Sequence, residues 1–112
     1  MELNLYQYKA REFILPSAYS GSYLFPGLAA EAGEVCGKYA KYIRDSYGVA
    51  DSNGFYDTFK DDIQKELGDV LWFVAMLGDF YGFTLNDIGH ANIAKLQARK
   101  DKGTIQGSGD NR

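Results

Sequence analysis

Residues 65–77 read KELGDVLWFVAML. At about 100° per residue, Phe59, Ile63, Glu66, Val70, Phe73 and Leu77 fall on one helical face. No stretch of the chain alternates convincingly as a strand would. The spacing predicts a helix from Asp57 or Thr58 to about Tyr81, with Gly82 placed as its C-terminal cap. Glu66 sits inside the apolar stripe of that helix, and Asp69 is displaced from it by only about 60°. Asp62 lies on the same side.

The phrase ELGDV at 66–70 echoes EAGEV at 31–35. Both read acid, apolar residue, glycine, acid, valine. Glu31 and Glu34 are three apart, hence neighbours on one helix face. Leu24, Leu28, Val35 and Tyr42 lie near Glu31 around that helix, so Glu31 is in or beside an apolar stripe. Glu34, Lys38 and Lys41 form its polar flank. Carboxylates so placed must neutralise or find cations. Lys38 and Lys41 are candidate partners. A hard divalent metal suits a cluster of acids better, because it takes several oxygen ligands. Gly33 and Gly68 weaken their helices by about 1 kcal/mol each relative to Ala. They are expected to let a neighbouring helix or a ligand approach beside the acids.

Three further helices are expected. The first covers about Leu3–Leu15, with Leu5, Tyr8 and Phe13 at helical spacing, and Pro16 ends it. The second runs from Leu24 or Gly27 to Arg44, with Pro26 in its first turn. A loop follows over 45–54. TLND at 84–87 is a capping-box pattern that opens the last helix, to about Lys100. The expected architecture is an all-α, four-helix bundle-like domain over 1–102, with a flexible tail over 103–112.

Composition narrows the function. A chain of 112 residues suits one domain with a modest core. Its formal charge of -3 argues against nucleic-acid polymers, which call for a basic face. The apolar run at 70–77 is too short to span a bilayer. One cysteine, Cys36, permits no internal disulfide and fits a reducing cytoplasm. The run at 70–77 is apolar nearly all round, which calls for cover on all sides and points to a homodimer or homotetramer.

GLAAEAGEV followed by KELGDVLWFVAML resembles the MazG-like all-α nucleoside triphosphate pyrophosphohydrolases. That superfamily includes MazG, the dimeric dUTPases and the dCTP pyrophosphatases. Its paired motif, E-x-x-E then E-x-x-D, falls here on Glu31, Glu34, Glu66 and Asp69. The resemblance spans about residues 22–100 and implies oligomers. It implies that the four acids bind Mg2+, with Mn2+ as a substitute, and that a nucleoside triphosphate is split into monophosphate and pyrophosphate. NIAKLQARKDKG at 92–103 is similar to the family's late helix, which makes Asn92, Lys95 and Arg99 candidate nucleotide contacts. Glu31 and Glu34 are the candidate catalytic acids, with Glu34 poised to orient or deprotonate water. Lys38, Lys41 and Lys95 are candidates for phosphate charge, and Phe73 for lining the nucleotide pocket. The gap between the acid pairs looks longer than in compact relatives, with the excess in the 45–57 region.

Two other readings compete. A carboxylate-bridged di-iron protein would use two Glu-x-x-His pairs, which the single histidine, His90, cannot supply. A non-catalytic helical interaction module accounts for the bundle, but leaves the acids in the stripe unexplained.

Overall fold

The computed structural model describes residues 1–46 and 57–111. Beyond Ser46, the loop expected over 45–54 lies outside the described residues. Among the described residues there are four α-helices and no strand: α1 (Leu3–Ala10), α2 (Gly21–Asp45), α3 (Asp57–Phe80) and α4 (Leu85–Lys102).

The long helices α2 and α3 form the central antiparallel pair. Phe25 meets Tyr81 at one end, and Tyr42 stacks on Phe59 at the other, 4.5 Å between centroids. The core is small. Leu24, Phe73, Ala75, Met76, Leu85 and Ala10 are buried, drawn from all four helices. Every residue from Val70 to Leu77 is at least half-buried within the single chain. The apolar run is therefore covered by α1, α2 and α4, and by itself does not require a second copy.

Helix α3 ends as its sequence predicts. Gly82 adopts φ +79°, and the Phe83 N–H reaches back to the Gly78 carbonyl at 2.7 Å. The Gly82 N–H bonds the Asp79 carbonyl, completing a Schellman cap. The capping box of α4 is also formed. The Thr84 hydroxyl accepts from the Asp87 N–H, and the Asp87 carboxylate accepts from the Thr84 N–H, both at 3.0 Å.

Two expectations fail at the N-terminal side. Helix α1 stops at Ala10 and tightens into a 3-10 turn over Arg11–Phe13, and Pro16 opens a second such turn, Pro16–Ala18. Its face is also rotated from the expected one. Tyr8 and Phe13 are largely exposed, whereas Gln7 and Ala10 are buried. The reason is polar rather than apolar. The Gln7 amide donates to the Ala75 and Phe83 carbonyls and accepts from the Leu85 N–H, each at 3.0 Å. These bonds tie α1 to α3, to the turn after it and to the first turn of α4, and so set the rotation of α1. Asn4 adds a bond from the Asn86 N–H, and Trp72 Nε1 donates to the Ala10 carbonyl at 3.1 Å.

Helix α2 starts earlier than expected, at Gly21 behind Ser20, so Pro26 lies inside the helix rather than in its first turn. The lost Pro26 N–H removes one intrahelical bond. Packing of Leu24 and Gly27 against α3 holds this segment helical despite that loss.

Candidate metal centre

Opposed on the α2–α3 pair, the two acidic phrases converge. Glu31, Glu66 and Asp69 each offer a carboxylate oxygen, and these atoms lie within 4.8 Å of one another. Glu31 and Glu66 are half-buried, and Asp69 is exposed. Glu34 lies one turn further along α2, exposed and outside this group. The structure thus brings together three of the four expected ligands, with the fourth beside them.

The electrostatics are unfavourable for the chain alone. Desolvation raises the Glu31 pKa, and the charges of Asp69, Glu66 and Glu34 raise it further. Lys38 answers part of this charge, with Nζ 3.7 Å from Glu66 Oε1. That ion pair is longer than the about 2.7–2.9 Å of a strong charge-assisted bond. The donor set is all oxygen and excess in negative charge, so the residues fit a hard divalent cation.

Helix α1 also reaches this region. Tyr6 is half-buried against the core, and its phenol pKa is raised by burial and then by the charge of Asp69. Sequence reasoning missed Tyr6, because no motif ties α1 to the acids.

The remaining candidates divide among several places. Lys38 and Lys41 line a cavity of about 280 Å³ with Tyr42, Asp45, Ser46, Phe59 and Asp62. Phe73 is buried among Gly27, Tyr23 and Trp72, behind the acids rather than on an open surface. Asn92 and Lys95 line a cavity of about 540 Å³ with Phe83, Asp87, Ile88 and Ala91, and none of the clustered acids borders it. Arg99 is buried, only 6% exposed, beneath the segment that follows α4. His90 is exposed and outside the acid cluster.

The glycines need a correction. Among the described residues, a Cβ at Gly33 or Gly68 would meet nothing within 4 Å, so no described helix uses the space beside the acids. The close approach is at Gly27, where a Cβ would stand 2.2 Å from the Phe73 ring. Gly27 lets Phe73 lie flat on the α2 backbone one turn from Glu31.

An all-α chain with three acids converging from two helices defines a class, and sequence comparison agrees with it. Residues 20–104 match the MazG nucleotide pyrophosphohydrolase domain, and the chain belongs to that family. It is also similar to a protein of Mycobacterium phage L5 described as Gene 37 protein. The two are 47% identical over 91 residues, covering 81% of this chain and 75% of the phage protein. No solved structure matches the chain. Among the described residues, no helix is long and apolar enough to cross a membrane.

Proposed function

We propose that this chain is a Mg2+-dependent pyrophosphohydrolase. It would cleave a nucleoside or deoxynucleoside triphosphate between the α- and β-phosphates, yielding the monophosphate and pyrophosphate. One observation carries the reading: Glu31, Glu66 and Asp69 converge from two helices in a chain of the MazG family.

Glu31, Glu66 and Asp69 would hold the metal. When bound, Mg2+ (or Mn2+) supplies charge neutralisation for the phosphates and a more acidic water. Glu34 stands one turn from Glu31 with its carboxylate in solvent, which suits a group that orients a water and takes its proton. The water oxygen bonds to the α-phosphorus as pyrophosphate departs with the bridging oxygen. Lys38 already faces Glu66 and could turn to a phosphate once a cation answers that acid. Asn92 and Lys95 border a cavity of nucleoside size. The working form is a homodimer or homotetramer in the cytoplasm. Support for the assembly comes from the many large apolar side chains left exposed, among them Phe25, Leu67, Phe83 and Ile93.

The test is product analysis. With Mg2+, the protein should release pyrophosphate rather than orthophosphate from at least one nucleoside triphosphate. Glu34→Gln and Asp69→Asn should each lower the rate by roughly a hundredfold or more while leaving the helical content unchanged. Full activity in either variant refutes the assignment of that residue.

A further inference from the structure

Lys95, Arg99 and Lys102 follow one another at steps of four and three, so they share one face of α4. After α4 the chain reverses at Gly103, φ +72°, and returns over the last turns of the helix. There Asp110 Oδ1 lies 3.3 Å from Lys95 Nζ and 3.2 Å from Arg99 Nη2, and the Gly109 carbonyl accepts a further bond from Arg99 Nη2 at 3.3 Å. These contacts enclose a cavity of about 240 Å³ lined by Lys95, Ala98, Arg99, Lys102, Asp110 and Asn111.

Asp110 fills this place poorly. Both ion pairs are longer than the 2.7–2.9 Å typical of charge-assisted bonds. Its carboxylate is 82% exposed, whereas the Arg99 side chain is covered. Arg99 Nε is buried with no hydrogen-bond partner among the described residues. Two cations thus share one carboxylate while Lys102 lines the same cavity, and the donor fork of the guanidinium is only partly used. The end of a helix is itself unfavourable for an anion, so side-chain cations must hold any anion bound there. Lys95 also borders the 540 Å³ cavity that holds Asn92, so an anion at Lys95 would continue a ligand seated in that cavity.

We propose that residues 103–111 form a displaceable strap, with Asp110 standing in for a phosphate group in an anion pocket made by Lys95, Arg99 and Lys102. A phosphate offers more acceptor oxygens than one carboxylate and can engage the unused donors of Arg99. The strap competes with that phosphate and must lift before it binds. The identity of the phosphate as part of a nucleotide rests on the function proposed above; the pocket and its strap do not.

The test uses inorganic pyrophosphate on the full chain in the Asp69→Asn background, so that no turnover enters the measurement. Titration calorimetry should show that adding Asp110→Asn tightens pyrophosphate binding about five- to tenfold, because the competing occupant is weakened. Arg99→Gln should abolish that binding in either background. Hydrogen exchange of residues 103–111 should rise when pyrophosphate binds the chain with Asp110 intact. Equal affinity with and without Asp110→Asn, or unchanged exchange in the strap, overturns the proposal. Strap displacement in a chain that hydrolyses no nucleoside triphosphate would leave the pocket standing and remove the proposed function. Hydrolysis without any effect of Asp110→Asn would do the reverse.

Discussion

At the scale of single residues, Gly27 and Gln7 do more for this fold than the residues a reader of the sequence would choose. Gly27 lets the Phe73 ring lie against the α2 backbone. Gln7 ties three helices together through one amide. The contrast between glycines is directly measurable. Gly27→Ala should lower the melting temperature markedly, because the added methyl overlaps a buried ring that has no room to retreat. Gly68→Ala should instead be neutral or stabilising by up to about 1 kcal/mol, since it gains helix propensity and meets no neighbour. Thermal melts of the two variants decide this. A strongly destabilised Gly68→Ala would show that something outside the single chain needs that space.

Among elements, α4 depends most on its ends. Its first turn is held by Asp87, Gln7, Asn4 and Thr84, which occupy the N–H groups of Thr84, Leu85, Asn86 and Asp87 in turn. Thr84→Ala should therefore cost about 1 kcal/mol of stability. The box also brings a pH dependence. The backbone N–H and the hydroxyl of Thr84 hold the Asp87 pKa below its ordinary value of 3.8. A depressed carboxylate stabilises the fold fully above that ordinary value, and the contribution is lost as pH falls from there through the lowered pKa. Acid melts of the parent and Asp87→Asn should approach one another as pH falls from 3.8 and converge only below the lowered pKa if the box acts this way. A gap that persists there would assign the effect to something other than ionisation. Elements were legible in proportion to how local their signals are. Caps, glycine stops and the α3 stripe depend on neighbours a few residues away. The rotation of α1 does not, because it is set by a side chain bonding to carbonyls about seventy residues distant.

For the molecule as a whole, the proposed metal site predicts that stability depends on a cation. The Glu31 pKa is raised, so its ionised form is the disfavoured one in the folded chain. Its contribution is favourable when protonated and is lost as pH rises through the raised pKa. At neutral pH with chelator, Glu31→Gln should therefore melt higher than the parent, and Mg2+ should raise the parent's melting temperature more than the variant's. A parent indifferent to Mg2+ would argue against a metal site. Assembly is the second property at this scale. The radius of gyration is 17.0 Å, against about 13 Å for a compact domain of this length. Together with the exposed apolar side chains, that openness predicts a dimer or larger at micromolar concentration by sedimentation, and a monomer there would refute it.

The sequence by itself determined the all-α class, the caps of α3 and α4, and the acids seated in the apolar stripes of α2 and α3. All of these follow from periodicity, local backbone chemistry and the cost of placing charge in an apolar face. Only the tertiary structure decided that Glu34 stands apart from the other three acids and that Gly27, rather than Gly33 or Gly68, is closely approached. It alone decided that Gln7 orients α1 and that Asp110 reaches Lys95 and Arg99. Each of these depends on groups distant in the chain meeting at a particular separation, and no local pattern encodes that distance.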